Sequence, residues 1–323
     1  MPWVLTDSLT AIDVHVHIEA DGHGCYSLDD ELMAASAAYF RADHDRTPTL
    51  PQIADMYRSL SMAAVVFTVD AGTATGHPAL SSEEIADAAA AYSDVLIPFG
   101  SVDPLRGPLA VSQARSLVRD HGVRGFKFHP SLQAFSPADQ AYYPLWAEIE
   151  SLGVPALFHT GQTGIGAGLP GGRGIKLRLS DPMLLDYAAA DFPALTVILA
   201  HPSVPWADAS ISMATHKSNV YIDLSGWSPK YFPPALVRAA NSYLQDKVLF
   251  GTDAILVLCR YAFAIRGLHR LQIETLTDNE AVIRIAQQAG FTREGVLRGS
   301  DWVNGAFADS VIFGLLDSDR PGT

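Results

Sequence analysis

"VLFGTDAILVLCRYAFAIRGLHRLQIET", residues 248–275, joins two kinds of sequence. It begins as a short apolar strand that ends in an acid, Asp253. It finishes as an alternating, β-rich stretch behind a basic turn. If its first part is the last strand of a closed sheet, then the chain before it is one fold and the chain after it is an addition. What stands upstream decides the matter.

Seven further apolar runs precede it: "AIDVHVH" (11–17), "AAVVFTV" (63–69), "VLIPFG" (95–100), "VRGFKFH" (123–129), "VPALFHT" (154–160), "LTVILAH" (195–201) and "NVYIDLS" (219–225). "KVLFGTD" (247–253) is the eighth. Near-continuous Val, Ile, Leu and Phe is how a strand buried on both faces reads. Helical patterns fill the gaps. Ser81 stands three residues before Glu84 as a capping box. Pro108 opens one helix and Gly122 closes it. Pro144 argues against an ordered helix start before it. Eight strands alternating with helices predict an α/β fold, a (β/α)8 TIM barrel. The rival is an open doubly wound sheet. Its G-x-G-x-x-G turn after the first strand is missing, and there is no Walker motif. The glycine-rich "GQTGIGAGLPGGRGIK" (161–176) has the wrong spacing for either and is expected to be a mobile loop over the barrel mouth, with a phosphate cradle as the alternative.

The chain has 323 residues, 48% of them hydrophobic, and a formal charge of −13. A chain so acidic, without a basic run, is a poor partner for nucleic acid. No apolar run approaches the roughly 20 residues of a membrane span. The first residues lack the pattern of a secretory signal. Cys25 and Cys259 are too few for a disulfide framework. These features predict a cytoplasmic enzyme or binding protein with a small-molecule substrate and no nucleic-acid or membrane partner; a homodimer is compatible with them.

In such a barrel the chemistry sits at the carboxyl ends of the strands. Those ends carry His15 and His17 on strand one, Lys127 and His129 on strand four, His159 on strand five, His201 on strand six and Asp253 on strand eight. Residues two apart on a strand face the same side, so His15 and His17 can converge. A lone histidine at a strand end is usually a hydrogen-bonded structural residue. Several imidazoles and a carboxylate on one face are costly to desolvate unless something occupies the space between them. One divalent metal ion suits that set, zinc first, with manganese or iron as alternatives.

"DVHVH", "FHTG", "AHPS" and "GTDA", in that order, resemble the amidohydrolase superfamily. The branch they resemble most holds aminocarboxymuconate-semialdehyde decarboxylase and related aromatic-acid decarboxylases and hydrolases. "GFKFHP" and "DLSGWSPKYFP" resemble it too, and the likeness covers about residues 10–253. It implies one divalent metal held by His15, His17, His159 and Asp253, and His201 as the acid/base or water-positioning residue. Asp253 would also take a proton from the activated water. A site of this kind hydrolyses an ester, lactone or amide, cleaves a C–C bond beside a carbonyl, or decarboxylates an activated acid. Lys127 has two readings: a carbamate bridge between two metals, or a partner for a substrate carboxylate or neighbouring acid. His129 reads as a substrate contact or an outer donor. Arg178, with Arg173 and Lys176, is either a contact for an anionic substrate or part of a solvated loop. Trp227 is either an apolar wall or core.

Downstream of the junction, residues 256–316 resemble the C-terminal half of a GNAT-type N-acetyltransferase, through "LHRLQIET", "DNEAVIRIAQQAGFTREGVLRG" and "DSVIFGLL". Local physics agrees: an alternating strand, a helix capped by Asp278 or Asn279 and ended by Gly290, and two strands around Asn304-Gly305. The Q/R-x-x-G-x-G/A loop that such enzymes use for the coenzyme pyrophosphate has no counterpart. The expected organisation is a barrel over 1–267, with a helix over about 255–265 covering strand eight, and a partial α+β appendage, βαββ, over 268–323. The functional expectation is a metal-dependent hydrolase or decarboxylase acting on a small carboxylated, aromatic or carbonyl-activated substrate. The alternatives are an inactive chimera of the two families and an acyltransferase.

Overall fold

The computed structural model describes residues 9–40, 48–252, 269–288, 290–303, 306–316 and 318. Eight parallel strands form the body: β1 (Ala11–His17), β2 (Met62–Phe67), β3 (Leu96–Pro98), β4 (Phe126–Phe128), β5 (Ala156–His159), β6 (Val197–Ala200), β7 (Val220–Asp223) and β8 (Val248–Leu249). β1-β2-β3 and β4 to β8 make two runs of neighbours, each in sequence order. Backbone bonds join the runs on both sides. The Lys127 N–H donates to Gly100 O at 2.8 Å, and the Arg124 N–H to Pro98 O at 2.8 Å. On the other side the Val14 N–H donates to Phe250 O at 3.0 Å. The strands thus form the ring of a TIM barrel, as the sequence predicts.

A carboxylate reinforces the second seam. Asp13, on β1, accepts from the Thr252 N–H at 3.0 Å and from the Thr252 hydroxyl. It also accepts from the Tyr57 hydroxyl at 2.5 Å and from the His15 N–H at 3.0 Å. Tyr57 lies on the helix Leu50–Ser59, outside the barrel. Between Asp13 and Val16 the register of β1 on β2 shifts, with Asp13 opposite Ala64 and Val16 opposite Val66. A bulge of this kind re-aims side chains. Asp13 turns outward to Tyr57, Val14 joins the interior layer of Val65, Phe67, Leu157 and Ile198, and His15 lies against Phe67 inside.

The strand ends are shorter than the apolar runs suggest, because only the middle of each run is in the ladder. β4 shows the alternation plainly: Phe126 and Phe128 pack outward under the helices while Lys127 is fully buried. Ser81 caps its helix by accepting the Glu84 N–H at 3.1 Å. The helix Tyr143–Leu152 starts one residue before Pro144, against the expectation, because a proline in the first turn removes an N–H that has no intrahelical partner. The glycine-rich stretch corrects an expectation. It is packed down, not a loose cover: Ile165, Leu169 and Ile175 rest on Leu28, Leu32 and Leu132, and Arg173 bonds Asp29 and, at 3.1 Å, Glu31.

The C-terminal unit is βαββ, as expected. β9 (Arg270–Leu276), the helix Glu280–Gln288, β10 (Thr292–Val303) and β11 (Ala306–Leu316) form an antiparallel sheet in the order β10-β11-β9 with its own small core. Asn279 Oδ1 caps the helix by accepting the Val282 N–H at 3.3 Å. Asp253, the helix expected over 255–265, the boundary at 267 and the Asn304-Gly305 turn lie outside the described residues. Among the described residues, no helix is long and apolar enough to cross a membrane.

Asp13→Ala would strand the Thr252 and Tyr57 donors in a buried seam, at about 1–3 kcal/mol for each donor left unpaired. The expected outcome in urea unfolding is a loss of at least ~3 kcal/mol, against about 1 kcal/mol for Tyr57→Phe. Equal midpoints for Asp13→Ala and the parent chain would show that the seam does not depend on this carboxylate.

Candidate functional site

The bulge and the pleat of β1 bring His15 and His17 over one ring, that of Phe67, with centroid distances of 5.1 and 4.9 Å, both edge-on. Their Nε2 atoms are 3.1 Å apart. Lys127 reaches in from β4, its Nζ 3.1 Å from His15 Nε2 and 5.0 Å from the centre of the Phe67 ring. His129 lies flat on His159, at 3.8 Å and 8°. His159 Nδ1 is 3.0 Å from His201 Nε2. The His15 and His201 rings are 4.9 Å apart. The structure therefore gathers His15, His17, Lys127, His129, His159 and His201 into one cluster at the carboxyl ends of the strands. Arg178 stands exposed on the turn Leu177–Ser180 and Trp227 is half-buried after β7. Among the described residues, neither forms a hydrogen bond or ring contact with the cluster. Asp253 lies outside the described residues.

Sequence reading missed the residues that hold this cluster. Asp223, at the end of β7 and fully buried, faces His15 Nδ1 at 2.6 Å. Ser225 Oγ lies 3.0 Å from His15 Nδ1 and 2.9 Å from His201 Nδ1. Gly251 makes room: a Cβ there would fall 2.5 Å from Asp223 Oδ1. Gln133 ties three strand ends together, accepting the His129 N–H at 2.8 Å and donating to Asp70 O at 2.7 Å and Val102 O at 3.0 Å. The available signal was "DLS" beside the end of a strand and a glycine in "GTD". His201 itself has a left-handed backbone, φ 71°. A bulky residue persists there only when its surroundings hold it.

The electrostatics follow from burial. His15, His17, His129 and His159 are held well below the usual imidazole range, by desolvation first and then by neighbouring positive charge. His201 is held down to about 4, by burial and then by Lys127, with Asp223 and the Ser225 carbonyl pulling the other way. Asp223 is pushed up by burial against the opposing pull of His201 and Ser225.

The donors suit a divalent ion. The 3.1 Å between His15 and His17 Nε2 is close to the roughly 3.3 Å between two nitrogens each about 2.0–2.1 Å from a tetrahedral ion. His159 Nε2 is buried and has no hydrogen-bond partner among the described residues. Among those residues no three donors already stand at ligand spacing around one point. The set fits by chemistry and by its bare nitrogen, with Asp253 as the remaining expected donor.

The amidohydrolase family model matches residues 12–285, and the chain belongs to that family, an enzyme family of hydrolase and decarboxylase type. An uncharacterised TIM-barrel protein from Bordetella bronchiseptica has the same fold, with a TM-score of 0.60 at 22% identity over 87% of this chain and 99% of that one. The 2,6-dihydroxybenzoate decarboxylase from Rhizobium superposes with a TM-score of 0.55 at 15% identity, over 87% and 97% of the two chains. A 5-carboxyvanillate decarboxylase from Novosphingobium aromaticivorans, with bound manganese, gives 0.50 at 16% over 75% and 86%. A separate similarity is to the probable N-acetyltransferase YjcK of Bacillus subtilis, 32% identical over 89 residues, which are 26% of this chain and 49% of that protein. The chain spans about half the length, or less, of the curated relatives it matches.

A histidine whose folded pKa lies below its unfolded one takes up its proton more readily when unfolded, so stability rises with pH between the two values. For His201 the window runs from about 4 to 6.5 and is worth ~3 kcal/mol, an order of magnitude that the raised Asp223 partly offsets. Urea midpoints of the chelator-treated chain should therefore fall as pH drops through that window. A flat profile would mean that the cluster is solvated.

Proposed function

We propose that this chain is a metal-dependent hydrolase or decarboxylase that acts on a small carboxylated substrate, aromatic or activated by a carbonyl. The observation that carries the reading is the bare, buried Nε2 of His159, in the same cluster as the His15 and His17 pair. His15, His17 and His159 would hold one divalent ion, with Asp253 as the fourth ligand. Zinc is the first choice for such donors, and manganese, present in one structural neighbour, or iron the next. When bound, the ion supplies Lewis-acid activation of water or of a substrate carbonyl.

The rest of the work falls to side chains. Lys127 places a cation at the base of the cluster, suited to a substrate carboxylate. The Leu132 N–H donates to His129 Nδ1 at 3.2 Å, which leaves the proton of His129 on Nε2, toward Thr163 Oγ1 at 3.3 Å. His129 thus offers one N–H to a ligand in the mouth. His201 is the acid/base or water-positioning residue of this reading, and to reach a reacting atom its Nε2 would turn from His159 Nδ1, 3.0 Å away. Trp227 forms part of the wall, and Arg178 meets the carboxylate as it enters. The names of the two decarboxylases, both acting on phenolic acids, support an aromatic acid.

Elemental analysis of the purified chain should find one divalent ion per chain, lost on His159→Ala. His201→Ala should keep the ion, bound more weakly by no more than the about 10–100-fold of a lost outer contact. Its turnover on the responsive member of a panel of aromatic acids, lactones and β-ketoacyl thioesters should fall about 10²–10⁴-fold. A chain without metal and inert to the whole panel would instead be an inactive chimera.

A further inference from the structure

The proton positions in the cluster are not free, and one segment of three residues sets them. Asp223 Oδ1 accepts the Ser225 N–H at 2.6 Å, and the Ser225 hydroxyl oxygen lies 3.0 Å from His15 Nδ1 and 2.9 Å from His201 Nδ1. Asp223 Oδ2 faces His15 Nδ1 at 2.6 Å. A carboxylate so placed accepts, so Nδ1 of His15 carries the proton and Nε2 is bare. His201 Nδ1 is 3.1 Å from the Ser225 carbonyl oxygen, which can only accept. With the Ser225 hydroxyl, 2.9 Å from the same nitrogen, taken as a second acceptor, His201 is protonated on Nδ1 and its Nε2 is bare. That Nε2 stands 3.0 Å from His159 Nδ1, which must then donate to it. The last nitrogen in the chain is His159 Nε2, the buried atom without a partner among the described residues.

We propose that the segment Asp223-Leu224-Ser225 is a positioning device that fixes the tautomers of His15 directly and of His159 through His201, so that both present a bare Nε2. This rests on the reading of those histidines as metal ligands, but the tautomers themselves do not. Asp223 is a positioning residue and touches neither substrate nor metal. The geometry also says what Asn would do there. The Ser225 N–H needs an acceptor, so it holds the amide oxygen at the Oδ1 place. The amide NH2 then faces His15 Nδ1, which must become an acceptor. The proton moves to Nε2, where it blocks a ligand bond. An outer partner of a ligating histidine typically controls metal affinity through this orientation.

The test uses the full chain, stripped with chelator, and zinc alone as the probe. Long-range proton–nitrogen spectra of the imidazoles, assigned with single-histidine variants, read the tautomers in the metal-free protein. Zinc titration reads the affinity. The expected parent spectrum has Nδ1–H on His15, His159 and His201. Asp223→Asn should shift His15 to Nε2–H, leave His159 and His201 unchanged, and weaken zinc by about 10–100-fold or more. A merely structural role would move stability and leave the tautomer alone. Nε2–H on His15 or His159 in the parent chain would overturn the proposal, whether or not the variant folds. So would an Asp223→Asn chain that keeps Nδ1–H on His15 and binds zinc like the parent. A parent chain with the expected tautomers that binds no zinc would bear out the positioning and sink the metal reading alone.

Discussion

The carboxylate of Asp13 is the constraint on which the rest depends. A buried carboxylate is tolerated only when donors fill its lone pairs. This one has four, from Thr252 twice, Tyr57 and the His15 backbone. Burial pushes its pKa up and the hydrogen bonds pull it back. The donors come from three places: the segment after β8, the outer helix and β1 itself. Satisfying one group therefore closes the ring, docks a helix on the seam and holds the bulge that turns His15 inward.

What lies inside the ring is a second buried polar problem, solved differently. Several imidazoles share a space walled by Phe67, and each would be costly as a cation there. Burial holds them toward the neutral form, and Asp223, the one fully buried acid among them in the described residues, is spread over His15 and Ser225. Gly251 is small because that acid fills the space its side chain would need. The left-handed turn at His201 is the cost of aiming its Nδ1 back at the Ser225 carbonyl. Strand ends six, seven and eight are thus shaped around a single segment.

Much of this was legible beforehand, and the reason is local. An H-x-H pair on a strand declares its own geometry, because the pleat fixes which way residues two apart point. The eight apolar runs declare a sheet buried on both faces in the same way. Asp223, Ser225 and Asp13 declared nothing. Their partners are 208, 210 and 239 residues away along the chain, and an Asp in a strand reads as an interruption until the partner is known. Gln133 was invisible for the same reason, since its three partners belong to three strand ends. The glycine-rich stretch misled in the other direction. Its composition suggested looseness, but the three apolar side chains among its glycines are enough to hold it against Leu28 and Leu32.

The C-terminal unit is coherent on its own terms. Val311, Phe313 and Leu315 alternate along β11 and meet Ala286 and Phe291 on one face. On the other, Arg270 from β9 and Glu294 from β10 pair across the central strand, over Gly314, where any side chain would collide with them. An exposed pair of this sort adds little stability. Gly314 leaves room for the flexible ends of the pair, while the register of the three strands is that of the backbone ladders of β11 with β9 and β10. The unit therefore has what a small sheet needs in order to fold. Its sequence has no Q/R-x-x-G-x-G/A stretch of the kind an acetyltransferase uses to hold the coenzyme pyrophosphate. Folding information and catalytic information lie in different parts of such a domain, so half of it can keep the first without the second. The family match that runs to residue 285 crosses into this unit, while among the described residues the clustered histidines belong to the barrel before it. A fragment that folds without a site is therefore consistent with chemistry carried by the barrel alone.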